Sequence, residues 1–204
     1  TCIANVTVED NIPPSLICSN YYTGINALNL DANGQGTINP SVIAAGSTDP
    51  CGVDTIYASK SVFDCDDVGF NVVTIYLVDN NGNIDSCSSV VEVEDQVAPV
   101  AICKDITVSL DTNGQVLITG ADIDNGSSDA CGISQYVASP AFFDCDDVGP
   151  NNVVLTVTDV NGNSSTCSSI VTVIDNDSPV IVCKNDTVYL DANGEATISP
   201  SILD

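Results

Sequence analysis

Ten cysteines recur along this chain at fixed intervals, and that register constrains the fold more than any other feature. Cys18, Cys51, Cys65 and Cys87 form one set; Cys103, Cys131, Cys145 and Cys167 form a second. The second-to-third spacing is 14 residues in both sets and the third-to-fourth spacing is 22. A spacing of 16 residues occurs three times, from Cys2 to Cys18, Cys87 to Cys103 and Cys167 to Cys183. Only the first-to-second spacing differs, 33 against 28, and the five extra residues lie between Cys18 and Asp31. Self-similarity at a fixed period marks a tandem array of one supersecondary unit.

Other landmarks keep the same step. "LDANGQ", "LDTNGQ" and "LDANGE" begin at Leu30, Leu110 and Leu190, and "FDCDDVG" stands at both 63–69 and 143–149. "DPCG" at Asp49 matches "DACG" at Asp129, and "VDNNGNIDSC" from Val78 matches "TDVNGNSSTC" from Thr158. Residues 1–12 therefore read as the last strand of a preceding repeat, 13–97 and 98–177 as two repeats, and 178–204 as the first part of a following one. No signal peptide is visible, so both ends read as cut ends of something longer.

Within a repeat the apolar period is two, as in "NNVVLTVTDV" and "SSIVTVID", with Asn-Gly turns between the runs. Asn-Gly supplies the positive φ of a tight hairpin. No convincing helix is present. Six to eight short strands in about 80 residues predict an all-β fold, tandem immunoglobulin-like β-sandwich repeats stapled by disulfides. Pro13, Pro99 and Pro179 mark junctions with almost no linker.

Composition narrows the function classes. The chain has 28 acids against Lys60, Lys104 and Lys184, with no Arg and no His, giving a formal charge of −25. Such a chain is repelled by phosphate backbones and anionic lipid, so nucleic acid is excluded as a partner. No apolar run approaches the roughly 20 residues of a membrane span, so no membrane insertion is expected. Hydrophobic residues nevertheless make up 44% of the chain, which suits packed cores rather than a disordered acidic tail. Without His, and without a Cys-x-x-Cys pair, zinc is a poor account of the cysteines; disulfides in an oxidising, extracellular compartment are the better one.

Four cysteines allow three pairings. Folding residues 51–65 as a hairpin about Ala58 sets its two cysteines opposite each other, and residues 131–145 fold alike about Ala138. The expected bonds are thus Cys51–Cys65 and Cys131–Cys145, leaving Cys18–Cys87 and Cys103–Cys167 to tie first strand to last. Cys2 and Cys183 would pair outside this stretch. Loops of this size contribute about 3–4 kcal/mol each in the loop-entropy treatment, which small aliphatic cores need.

The carboxylates admit two readings. Asp64, Asp66, Asp67, Asp79, Asn81 and Asn83, with Asp144, Asp146, Asp147, Asp159, Asn161 and Asn163, supply the oxygen ligands that Ca²⁺ prefers. A second candidate cation site is the junction, with Glu94 and Asp95 or Asp175 and Asp177. Against this, Asp and Asn cap turns through their side chains, and "DxNGN" lacks the full helical calcium loop; turn chemistry is the reading we favour. Catalysis is not expected: there is no His, no Gly-x-Ser-x-Gly elbow, and every Cys has a structural role. Paired carboxylates duplicated in small repeats make a poor glycosidase.

"DNGSSDACGI", "FDCDDVG", "VVLTVTDVNGNSSTC" and "SIVTVID" resemble the four-cysteine, hyalin-repeat-like (HYR-like) modules of very large secreted adhesins of Bacteroidota. The resemblance spans essentially the whole chain; the insertion after Cys18 departs from it. It implies a stalk segment of a cell-surface filament, exported by type IX secretion, serving adhesion or gliding motility. The partners would be neighbouring repeats of the same chain and a surface or glycan ligand. The same context implies O-glycosylation at Asp-Ser/Thr-aliphatic triplets, matched by Thr55 in "DTI" and Thr187 in "DTV". The alternatives are a carbohydrate-binding accessory module, with Tyr21 and Tyr22 as its exposed aromatic pair, or a self-assembling extracellular fibre.

Overall fold

A computed structural model describes residues 2–185 and 187–198. The first half contains β1 (Leu28–Asn29), β2 (Gln35–Thr37), β3 (Val53–Ala58), β4 (Val62–Asp64), β5 (Gly69–Asp79) and β6 (Ile84–Glu94). The second half repeats the series as β7 (Ile106–Ser109), β8 (Gln115–Leu117), β9 (Ile133–Ser139), β10 (Phe142–Asp144), β11 (Gly149–Asp159) and β12 (Ser164–Ile174). Each half forms one four-stranded sheet, ordered β1-β6-β5-β3 or β7-β12-β11-β9, and one two-stranded sheet, β2-β4 or β8-β10. The first strand of each large sheet lies parallel to the last, and the other pairings are antiparallel. The molecule is all-β and immunoglobulin-like, with two modules of the same sheet order.

Period-two patterning builds each sandwich. In β5, Val73, Ile75 and Leu77 face inward while Phe70 and Val72 face solvent; in β11, Val153, Leu155 and Val157 take the inward row. The small sheet closes the core from the other side with Phe63 at 0% and Phe143 at 2% exposure. Aligned inward rows from both layers make one aliphatic core per module.

Among the described residues helix is confined to single turns. α1 (Pro40–Ile43) starts where the Asn39 side chain accepts from Ser41 N, with Pro40 at the first helical position. α2 (Gly120–Ile123) starts on a Thr119–Asp122 capping box. Their purpose in the packing is to bury Ile43 and Ile123 at the open side of each sandwich.

The expected hairpin over residues 51–65 does not form. β3 pairs with β5 in the large sheet, whereas β4 pairs with β2 in the small one, so the chain crosses between layers at residues 59–61. The crossing lets Ile56 and Ala58 pack on the core from one layer and Phe63 from the other. As a result Cys51 stays beside Val53, which pairs with Asp79, while Cys65 begins the turn that leads into Gly69. These are the two ends of β5, whose eleven residues span about 36 Å. A disulfide needs Cα atoms some 4.4–6.8 Å apart, so Cys51 and Cys65 cannot bond; the same holds for Cys131 and Cys145.

The DxNG turns also differ from the simple Asn-Gly expectation. Among the described residues no non-glycine has positive φ; in these turns the glycine does, as at Gly34 (φ 72°) and Gly82 (φ 89°). The Asp two residues before the Asn shapes each turn, its Oδ1 accepting from the amides two and four residues on.

Candidate functional site: the junction between modules

Each module has an outgoing and an incoming end, and the side chains that meet there are held by local hydrogen bonds. At the outgoing end of the first module, Asp31 Oδ1 accepts from Asn33 N (2.8 Å) and Gln35 N (3.0 Å). These amides hold the Asp31 carboxyl below its ordinary pKa. The turn brings Gly34 against Cys65, whose Sγ is 3.9 Å from Gly34 O. A Cβ on Gly34 would sit 2.6 Å from Cys65 Sγ and 3.2 Å from Ala130 Cβ, so only glycine fits.

"FDCDDVG" fixes the cysteine itself. Asp64 Oδ1 accepts from Asp66 N (3.1 Å), and Asp67 Oδ2 accepts from Asp64 N (3.0 Å), a reciprocal capping box around the single turn Cys65–Asp67. Asn71 Nδ2 donates to Asp67 O (2.7 Å) and Gly69 O (3.2 Å). Lys60 pairs with Asp67, lowering its carboxyl pKa together with the Asp64 amide, and lies 5.2 Å over the Phe63 ring. Asp144, Asp146, Asp147 and Asn151 repeat these backbone bonds around Cys145.

At the incoming end of the second module, buried Asp159 organises the hairpin tip. Its Oδ1 accepts from Asn161 N (2.9 Å) and Asn163 N (2.8 Å), and its Oδ2 from Asn163 Nδ2 (2.8 Å). The same Asn163 amide donates to Asp95 O (3.0 Å), and Ser165 Oγ donates to Pro99 O (2.5 Å), so the hairpin grips the connecting segment. Asn83 in the first module donates equivalently to Asp10 O (3.1 Å) and Ile12 O (3.3 Å). Asp129 Oδ1 accepts from Cys131 N (2.8 Å) and presents that cysteine to the first module.

The two ends are joined covalently. Cys65 bonds Cys131, with Cα atoms 5.2 Å apart, across the junction. This corrects the expected Cys51–Cys65 and Cys131–Cys145 bonds. Cys18–Cys87 and Cys103–Cys167 form as expected, with Cα separations of 6.1 and 5.9 Å. Cys2, Cys51, Cys145 and Cys183 are free and exposed. The Cys51 thiol donates to the Asp10 carboxylate, whose acceptance and charge push its pKa up.

The twelve carboxylate and amide residues proposed as cation ligands do not converge. In each module they divide between the turn at the start of β5 or β11 and the hairpin tip at its far end, too far apart for one ion. The carboxylates of Asp64, Asp79, Asp144 and Asp159 accept the amides that shape those turns. Of the other junction candidates, Asp95 is buried, and Asp177 N donates to Asp175 Oδ1 (3.0 Å). Thr55 is exposed on β3, an edge strand. Tyr22 is not an exposed partner of Tyr21: its ring packs on the core and its hydroxyl accepts from Asn39 N (2.9 Å). Sequence reasoning missed the grouping of Asp95 with Asp129 and Cys131, and its counterpart Asp10, Asp49 and Cys51. The shared Asp-x-Cys of "DPCG" and "DACG" was the available signal.

A cleft at the outgoing end of the second module repeats the first module's docking face. It is lined by Asp111, Asn113, Gly114 and Cys145, together with Asp175 and Pro179 of the continuing chain. Cys145 Sγ lies 3.8 Å from Gly114 O, as Cys65 does from Gly34 O.

No protein-family model matches the chain, and no curated protein does. Among solved structures it is similar to extracellular cadherin domains 1–4 of protocadherin gamma B7 (12% identity, TM-score 0.35, covering 80% of this chain and 51% of that one). It is also similar to human mucin-like protocadherin EC1-2 (14%, TM-score 0.33, 73% and 95%) and to fibronectin(III)-like modules of Clostridium thermocellum CbhA (14%, TM-score 0.29, 76% and 95%). The chain spans about half the length of the first of these structures. Among the described residues no helix is long and apolar enough to cross a membrane.

Proposed function

We propose that this chain is a stalk segment of a long extracellular adhesin, in which disulfide-locked modules are joined end to end and carry load. The observation that carries this reading is the Cys65–Cys131 bond, which fastens one module to the next. A ligand-binding module needs no such bond; a stalk that must keep its alignment does. Cys18–Cys87 and Cys103–Cys167 complete the arrangement by tying the segment that enters each module to its exit strand. The compartment is oxidising, hence extracellular. Cys145 and Cys51 occupy the positions of Cys65 and Cys131, so in a longer array they would bond the following and preceding modules.

The finer reading follows the sequence resemblance: a cell-surface filament of the kind formed by the gliding-motility adhesin SprB, acting in adhesion or gliding, with O-glycosylation at Thr55 and Thr187. The sugar-binding alternative is favoured less because Tyr22 packs its ring on the core and its hydroxyl accepts from Asn39 N, leaving Tyr21 as the more exposed ring of that pair. Small-angle scattering of the oxidised chain, compared with Cys65→Ala/Cys131→Ala, tests the stalk. A stiff, extended particle that becomes a broad bent ensemble in the variant supports the proposal. Identical profiles, or a glycan array on which the chain binds through Tyr21, would overturn it.

A further inference from the structure

We infer that Asp95 and Asp129 form a divalent-cation site at the junction, and that Ca²⁺ is the ion it suits. Asp95 is 8% exposed. Its Oδ1 accepts from Val97 N (3.0 Å), but its Oδ2 is buried with no hydrogen-bond partner among the described residues. Buried carboxylate oxygens are normally satisfied by protein, ordered water or an ion, and a second carboxylate beside this one favours the ion. A carboxylate oxygen of Asp129 lies within 4.8 Å of one from Asp95, beside the Cys131 sulfur. Two anionic groups so close repel unless a cation lies between them.

The chain has few cations of its own to place there. Lys60 is paired with Asp67, and Lys104 lies by Asp122 and Asp124 of the second module. Hydrogen bonds from Thr119 hold the Asp122 carboxyl low and, against burial, those from Ser127 and Gly126 hold Asp124 low, with the Lys104 charge adding to both. The donor chemistry selects the ion. Cys131 is oxidised and offers no thiolate, so the site presents carboxylate oxygen, suited to a hard cation rather than to Zn²⁺. Ca²⁺ accepts the irregular geometry of two carboxylates completed by water more readily than Mg²⁺ does. Because Asp95 belongs to the connecting segment and Asp129 to the second module, the ion would pin one to the other next to the disulfide. This inference stands whether or not the chain is a stalk. In the equivalent group Asp10 is half-buried where Asp95 is buried, and there the Asp10 carboxylate pushes up the pKa of the neighbouring Cys51 thiol.

The test is calorimetric titration of the oxidised chain with CaCl₂ in 0.15 M NaCl. The expected result is saturable binding with Kd on the order of 10⁻⁴–10⁻³ M, as in extracellular modules. Asp95→Asn and Asp129→Asn should each weaken it at least about tenfold, while Asp54→Asn, on an exposed residue, leaves it unchanged. Absence of saturable heat, or binding unaltered by both substitutions, overturns the inference. Should either variant misfold, amide NMR of the unaltered chain decides. Ca²⁺ shifts concentrated at Val97 and Cys131, whose amides donate to the two carboxylates, support the site, and shifts elsewhere refute it.

Discussion

Pulling the oxidised chain from its ends loads each module through its entry–exit disulfide before its core. Force arriving at Cys18 crosses to Cys87, follows β6 to Glu94 and reaches Cys103 along a 16-residue connection. Stretched fully at about 3.4 Å per residue, that connection spans about 54 Å, and the Cys18–Cys87 step adds 6.1 Å. A folded module already spans about 36 Å along β5, so unfolding it releases only about 24 Å. The route through Cys65–Cys131 is longer, 22 residues back from Cys87 and 28 beyond Cys103, so it does not set the limit. With all disulfides reduced, the 85 residues from Cys18 to Cys103 extend to about 290 Å and release about 250 Å, a tenfold larger step. Single-molecule force spectroscopy with and without reductant measures both values. Steps near 250 Å in the oxidised chain would refute the covalent load path.

Three further outcomes follow from particular residues. Gly34→Ala forces a side chain into a left-handed conformation, costing about 1–2 kcal/mol, and sets its Cβ 2.6 Å from Cys65 Sγ; thiol titration should then find Cys65 and Cys131 free, and an intact bond would contradict the close fit. Phe143→Ala removes a side chain buried to 2% exposure, at a cost of about 3–5 kcal/mol, and should lower the calorimetric melting temperature of one module by at least about 12 °C; an unchanged melt would deny Phe143 its core role. Asp31, Asp111 and Asp191 have carboxyl pKa values lowered below 3.8, first by the Gln35, Gln115 and Glu195 amides. Their stabilisation is present above the unfolded pKa and lost as pH falls from there through the folded value. In about 0.5 M salt, which screens the overall negative charge, Tm should hold from pH 7 to about 5 and fall below about 4; a rise across that lower range would contradict the turn assignment.

The sandwich was legible because its signals are local. Alternation in "NNVVLTVTDV" and the repeated cysteine register required strands in equivalent modules. The first-to-last bonds entered only as what the hairpin pairing left over, and they form although that pairing does not. The layer change at residues 59–61 was not legible. A hairpin and a crossing between sheets share the same alternation on either side, and only burial of Phe63 beneath the opposite layer separates them. That one missed crossing sent Cys51 and Cys65 to opposite ends of the module and concealed the junction disulfide. The carboxylates were misgrouped for a related reason: Asp67 and Asp79 are near in sequence, but the full length of β5 separates them. Asp95 and Asp129, 34 positions apart, come together only when the modules join.

Non-reducing peptide mapping by mass spectrometry of the oxidised chain tests the central claim most directly. The structure predicts a Cys65–Cys131 cross-linked peptide alongside Cys18–Cys87 and Cys103–Cys167, with Cys51 and Cys145 recovered as thiols. Recovery of Cys51–Cys65 and Cys131–Cys145 instead would mean that each module closes on itself, and the covalent junction would be refuted.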